Sequence, residues 1–171
     1  MLDATSPGSV TAVVGRPGAG LSTTLGALCD AALTRGIPAV LACWERAPER
    51  WIGVVENDRV RIPAVMGWDT STLARWAVEE GVAPGTLVAI DYLGLIPPDQ
   101  STSADLLSKV AHGNGWRLVL GIMAPRSLES LTGSPSTLEA AAAVWGALGG
   151  VLCHVDGVVA LTGAGPLLLS A

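Results

Sequence analysis

Short apolar runs alternate with segments of helical periodicity along the whole chain of 171 residues. Apolar runs bounded by turn residues are typical of buried strands, and apolar residues at helical spacing are typical of amphipathic helices. The pattern predicts strands at 10–14, 38–44, 61–68, 86–96, 117–124 and 156–162, and helices at 22–36, 70–81, 103–113 and 136–148. This alternation favours a single α/β domain over residues 1–171, built on a mainly parallel, twisted sheet with helices on both faces.

Two segments are less regular than the others. The run at 61–68 contains Pro63, which indicates an edge or irregular strand because proline lacks a backbone N–H. The apolar tail at 147–170 is interrupted by glycines, His154 and Asp156, so we expect two buried strands there and no membrane span. Cys153 and His154 would then project to opposite sides of a strand, which argues against a shared metal ion.

The composition argues against several classes of function. Half of the residues are hydrophobic and 15% are charged, which favours a compact fold over disorder. The net charge is −5 and Lys109 is the only lysine, so binding of DNA through its phosphates is disfavoured. The sequence shows no secretory leader and no membrane span, and its three widely spaced cysteines indicate reduced thiols in the cytoplasm.

The stretch GRPGAGLST, residues 15–23, lies directly between a predicted strand and a predicted helix. In that position glycines let backbone N–H groups face a phosphate, and the helix N-terminus adds a favourable dipole. Gly15, Gly20 and Ser22 occupy the places of a Walker A pattern, but Leu21 stands where that pattern has its lysine. The loop by itself is equally consistent with a damaged nucleotide site and with a plain glycine–proline turn.

A second stretch, LVAIDYLGLI at 87–96, has the form of a Walker B strand in which an acid, Asp91, follows apolar residues. In P-loop enzymes such an aspartate and the hydroxyl residue of the loop together hold Mg²⁺. Ser22 and Asp91 are therefore the predicted magnesium-binding residues. A buried strand whose terminal aspartate caps the next turn would give the same pattern.

In this order, GSVTAVVGRPGAG, VLACWER and LVAIDYLGLI resemble the RecA-like ATPase domain of DnaB-type replicative helicases. That family has a G-R-P-G-M-G-K-T loop, a strand ending S-L-E-M and a strand reading I-D-Y-L-Q-L. The resemblance covers about residues 8 to 162 and implies a RecA-like P-loop fold that binds ATP or ADP with Mg²⁺. The implied nucleotide-binding residues are Gly15, Arg16, Pro17, Gly18, Ala19, Gly20, Leu21, Ser22 and Thr23.

The resemblance also assigns residues to the chemical step. Glu45 falls on the glutamate that polarises the attacking water in the family, and Arg126 matches the arginine of a strand ending S-Q-L-N-R. Met123 stands where that strand has a glutamine that senses the γ-phosphate. The sequence has no counterpart of the K-x-R-N-G segment that carries the arginine finger, nor of the N-terminal helical domain.

These departures all remove positive charge or hydrogen-bond donors from the phosphates. An arginine finger alone is worth roughly 10³ to 10⁵ in kcat. We therefore expect weak binding of ATP or ADP through backbone donors and magnesium, with little or no hydrolysis or unwinding.

A function from a different class stays open beside nucleotide binding. A catalytically dead interaction or regulatory module would associate with itself, with a replicative helicase or with another RecA-fold partner. A decaying gene fragment without function is a third interpretation of the same departures.

Overall fold

The sheet of this protein has six strands, as a computed structural model of the chain shows. The strands are β1 (Val10–Gly15), β2 (Ala39–Cys43), β3 (Leu87–Asp91), β4 (Arg117–Met123), β5 (Gly157–Thr162) and β6 (Gly165–Leu169). The helices are α1 (Leu21–Thr34), α2 (Thr70–Glu79), α3 (Gln100–Asn114) and α4 (Thr137–Leu152). The structure describes residues 5–44, 48–51, 55, 59–65, 67–96, 99–125, 128 and 135–169.

The strands lie in the order β2-β3-β4-β1-β5-β6. β1 to β5 run parallel to one another, and β6 pairs antiparallel with β5. One helix follows each of the first four strands, because a chain that returns to start a parallel strand needs a crossover. β1 lies between β4 and β5, so the loop that follows it is near the middle of the sheet.

Both faces of the sheet are covered, and β1, β2 and β3 are buried along their full lengths. On one face, α1 packs Leu25 and Cys29 against the strands. On the other face, α2, α3 and α4 contribute Leu73, Leu107 and Val144 to a second apolar cluster. The predicted fold class, a mainly parallel sheet with helices on both faces, is confirmed.

The segment at 61–68 does not form the predicted strand. Arg61 makes a single parallel bridge with Val40 at the outer edge of β2. Its carbonyl accepts from the N–H of Leu41 and its own N–H donates to the carbonyl of Ala39, at 2.9 and 3.1 Å. Pro63 lacks the N–H that would be needed two residues later to continue this pairing, which explains why the ladder stops.

The tail also differs from the expectation in detail. α4 continues to Leu152, through the glycines at which we expected it to have ended. Cys153 and His154 lie in the turn that follows α4, so the prediction that they project from a strand is wrong. The two buried strands expected in the tail are β5 and β6, joined by a turn at Gly163 and Ala164.

The predicted strand at 86–96 is shorter than expected. β3 ends at Asp91, and Leu93–Leu95 form a short 3-10 turn. Asp91 is therefore the last residue of its strand, at the carboxyl edge of the sheet. Among the described residues, no helix has the length and apolar character needed to cross a membrane.

Candidate functional site

The loop of residues 16–20 joins β1 to α1 at the carboxyl edge of the parallel strands. In open α/β sheets this edge is where ligands bind. β1 has neighbours on both sides, β4 and β5, so the loop is flanked by the ends of two other strands. The fold thus places the glycine-rich stretch in a position suited to a ligand.

The loop backbone is shaped by two glycines in the left-handed region. Gly18 has φ +83° and Gly20 has φ +81°, conformations that residues with a side chain rarely adopt. The N–H of Ala19 donates to the carbonyl of Arg16 at 2.9 Å, which closes a tight turn before the helix. Substitution of either glycine would strain the turn even though space for a Cβ exists at both.

α1 begins differently from the other three helices described. α2, α3 and α4 are each capped by a side chain, those of Asp69, Asp99 and Ser136. Gly20 at the start of α1 has no side chain to offer. The N–H groups of residues 21–23 have no acceptor among the described residues, so they are available to an anion that binds at the loop.

Ser22 and Asp91 lie in direct contact. Ser22 Oγ donates a hydrogen bond to Asp91 Oδ2 at 2.8 Å, although the two residues are 69 positions apart in the chain. Asp91 is only 1% exposed, and the thiol of Cys43 at the end of β2 lies 3.8 Å from the same carboxylate oxygen. The fold therefore brings the two predicted magnesium-binding residues to one point beneath the loop.

The chemistry of this pair suits a hard cation. Mg²⁺ prefers oxygen ligands and keeps several waters, so one hydroxyl and one carboxylate fit if substrate phosphates complete the shell. Within the described part of the chain, no group of three or more His, Cys, Asp or Glu side chains could hold a metal by itself. A magnesium ion at this point would therefore depend on the bound nucleotide.

Leu21 belongs to the apolar core. Its side chain is 5% exposed and lies in the cluster formed by α1 and the sheet. A Cβ built at Gly121 on β4 would be 3.6 Å from Leu21 Cδ2, so the leucine reaches down onto the sheet. The residue at the lysine position thus adds no charge to the loop and contributes to packing instead.

Met123 is the last residue of β4 and is in register with Gly15. The next N–H along, that of Ala124, donates to the carbonyl of Gly15 at 2.8 Å. This arrangement holds the end of β4 beside the start of the loop. A thioether is only a weak acceptor, so Met123 offers no donor to a phosphate.

Arg16 and a turn on the other side of the loop line a pocket of about 300 Å³. The remaining lining residues are Pro17, Gly18, Ala19, Leu161, Thr162 and Gly163. The last three belong to the end of β5 and the turn into β6, and sequence reasoning did not assign them to the site. The small, polar stretch TGAG at 162–165 was the available signal, since it marks a turn at the same edge of the sheet.

Two predicted residues cannot be placed. Glu45 and Arg126, the residues assigned to the chemical step, lie outside the described residues. Their assignments rest on the sequence resemblance alone.

Comparisons with known proteins bear on the fold. No protein-family model matches the sequence, and no curated protein matches it either. A solved ATPase domain of a DnaB-like helicase superposes with a TM-score of 0.72 and 14% sequence identity, over 91% of this chain and 69% of the other. A DnaB-like replicative helicase, solved in a study of its interactions with primase, gives a TM-score of 0.72 and 15% identity.

The second match covers 91% of this chain and 47% of that helicase, so the chain spans about half of the helicase's length. At these identities the likeness concerns the fold, which is the one expected from the Arg-Pro loop and the Ile-Asp-Tyr-Leu stretch. The chain has the RecA-like fold of DnaB-like helicase ATPase domains.

Proposed function

We propose that this protein binds ATP or ADP with Mg²⁺ through the loop of residues 15–23, weakly and with little or no hydrolysis. The observation that carries the proposal is the 2.8 Å hydrogen bond between Ser22 Oγ and Asp91 Oδ2. A serine at the start of α1 and an aspartate at the end of β3 have no packing need to meet, and one of them is almost completely buried. Their meeting beneath a glycine-rich loop supports a magnesium-dependent phosphate site.

Backbone donors supply the phosphate contacts in this proposal. The uncapped N-terminus of α1 presents N–H groups and the positive end of the helix dipole, which attract anions without any side chain. The missing lysine charge makes the site weaker than a complete P-loop. Mg²⁺, when bound with the nucleotide, supplies positive charge that the loop itself lacks.

Two residues of the site support the proposal of little or no hydrolysis. The charge that develops on the phosphates during transfer must be stabilised by positioned cations and donors. Leu21 is buried in the core and Met123 has no donor to offer. A site of this composition retains a nucleotide better than it turns one over.

Titration calorimetry with ADP and ATP, with and without Mg²⁺, tests the proposal. The expected result is measurable binding that strengthens when Mg²⁺ is present. Asp91→Asn should remove the effect of Mg²⁺ while keeping the size of the side chain. Asp105→Asn, which removes the same charge from an exposed ion pair with Lys109 on α3, is the matched control and should leave binding unchanged.

Calorimetry can also contradict the proposal. Absence of heat and of any thermal shift at millimolar nucleotide would refute nucleotide binding. Binding with the same Mg²⁺ dependence in Asp91→Asn would show that the metal lies elsewhere.

The exposed face of α4 favours a second candidate, a protein-interaction module. Trp145 is 39% exposed there, next to Ala142, Gly146 and Gly149, which are exposed as well. An exposed tryptophan among small residues is typical of a surface that packs against another protein. The proposed partner is a RecA-fold chain, either a second copy or a helicase.

Light scattering during gel filtration tests the simplest form of this candidate. A concentration-dependent dimer that Trp145→Ala disrupts would support self-association. A monomer at all concentrations, with no change on mixing with a purified DnaB-type helicase, would count against both partners.

A further inference from the structure

The pocket beside the loop contains a cation without a partner. Arg16 is half-buried, and its Nε atom is shielded from solvent. Among the described residues, no acceptor lies within hydrogen-bonding distance of that Nε. An unpaired donor on a charged group is costly to bury, so its presence calls for an acceptor that arrives from outside the described chain.

The surroundings of Arg16 favour an anionic ligand. The other residues of the pocket, at 17–19 and 161–163, carry no acidic side chain that could neutralise the guanidinium. Three of them are loop residues that lead directly to the free N–H groups of α1. A ligand in the 300 Å³ pocket would therefore meet a positive side chain on one side and the loop backbone on the other.

The order of strands sets where such a ligand would lie. Asp91 ends β3, which is separated from β1 by β4, whereas Leu161 and Thr162 end β5 on the opposite side of β1. The Ser22–Asp91 pair and the Arg16 pocket therefore flank the loop on its two sides. A nucleotide that reaches the metal site with its terminal phosphate would pass over the loop toward Arg16.

We propose that Arg16 binds the phosphate chain of the nucleotide and supplies the positive charge that Leu21 does not. This inference rests on the proposed nucleotide binding and adds to it the residue that holds the anion. A guanidinium suits the task because its planar donors can bind two phosphate oxygens at once. The compensation is a feature of this chain, in which the lysine position has become part of the core.

The test compares Arg16→Ala, Arg16→Lys and Arg75→Ala with the unchanged protein. Arg75 is exposed on α2, on the opposite face of the sheet from α1, so its removal is matched in charge but distant from the loop. Binding of ADP and of inorganic tripolyphosphate is measured by calorimetry at low and high salt. Thermal unfolding of each variant shows that the fold is retained.

Arg16→Ala is expected to weaken both ADP and tripolyphosphate by roughly tenfold to a hundredfold, the value of a charge-assisted hydrogen bond. Arg16→Lys should recover part of the affinity, and Arg75→Ala should bind as the unchanged protein does. The salt dependence of ADP binding should be smaller in Arg16→Ala, since an ionic contact has been removed.

Each other outcome overturns the inference in a distinguishable way. Equal ADP affinity in Arg16→Ala and the unchanged protein would refute the role of Arg16 and leave the proposed nucleotide binding intact. Loss of ADP binding with tripolyphosphate unaffected would place Arg16 against the nucleoside and not the phosphates. No binding of ADP by the unchanged protein would refute both proposals together.

Discussion

The side chain of Leu21 lies over Gly121, at the point where β4 passes beneath the start of α1. This contact makes the first residue of the helix part of the core. It depends on the glycine, because any larger residue at 121 would occupy the space that the leucine fills.

Gly121→Ala should lower the free energy of unfolding by about 1–3 kcal/mol, the usual cost of overpacking. A Cβ at this position would be 2.7 Å from the carbonyl oxygen of Ile90 and 2.9 Å from Leu25 Cδ1. The carbonyl belongs to the neighbouring strand and cannot move without disturbing the sheet. Urea denaturation of the variant and the unchanged protein measures the difference.

Gly146→Ala is the matched control for that substitution. Gly146 lies within α4, is exposed, and has open space where a Cβ would be. Alanine there should stabilise the protein by about 0.5–1 kcal/mol, because glycine disfavours a helix. A Gly121→Ala variant as stable as the Gly146→Ala variant would show that β4 is less tightly packed than described.

Leu21→Lys should have opposite effects on stability and on affinity. The loss of a buried leucine should lower the free energy of unfolding by about 2 kcal/mol. The lysine should tighten ADP binding by roughly tenfold if its stem follows the core surface and its ammonium reaches the phosphates. Calorimetry and urea denaturation measure the two quantities separately.

Leu21→Ala separates charge from packing in the same experiment. It should lose a similar amount of stability without any gain in affinity. An unchanged ADP affinity in Leu21→Lys would mean that the loop is not where the phosphates bind.

The stability of the fold should fall in acid through its helix caps. The N–H of Thr72, followed by the hydroxyls of Thr72 and Ser71, lowers the pKa of Asp69 to about 2. Hydrogen bonds also lower the pKa of Asp99 and of Glu139. Because the folded pKa lies below the unfolded value of about 4, this stability is complete above pH 4 and is lost toward pH 2.

Asp69→Asn tests this assignment, since asparagine can cap the helix but does not titrate. The variant should show a smaller decrease in melting temperature between pH 4 and pH 2 than the unchanged protein. Parallel pH profiles for the two proteins would show that Asp69 does not contribute to the acid sensitivity.

The three cysteines should differ strongly in reactivity. Burial, with a smaller effect from Asp30, raises the pKa of Cys29 to about 12, so its reactive thiolate is almost absent at pH 8. Cys153 is exposed in the turn after α4. Iodoacetamide at pH 8 should modify Cys153 in the folded protein and Cys29 only after unfolding, as peptide mass spectrometry would show. Equal rates at both thiols in the folded state would contradict the burial of α1 against the sheet.

Much of the fold could be predicted because each strand announced itself by a continuous apolar run. The runs at 10–14 and 87–91 are buried on both faces, and such strands need no partner-specific signal to be recognised. The Ser22–Asp91 contact followed from the same logic, since parallel strands bring their carboxyl ends to one edge.

Other features depended on contacts that are distant in sequence. The bounds of β6 could not be read from GPLLL, because the strand forms by pairing with β5 across a turn. The apolar run at 61–68 resembled a strand, but proline limited it to one bridge. The direction of Leu21 and the burial of Arg16 Nε depend on Gly121 and on the turn after β5, neither of which is near the loop in sequence.

The position of β1 between β4 and β5 has a consequence for how the chain is made. Residue 10 pairs with residue 118, and residue 11 pairs with residue 157. During synthesis on the ribosome, β1 emerges first and waits with both edges unpaired, whereas β2 and β3 can pair as soon as residue 91 is out. The loop encoded earliest therefore gains its scaffold last, and a nascent chain that ends before β4 has no platform on which the loop can be held.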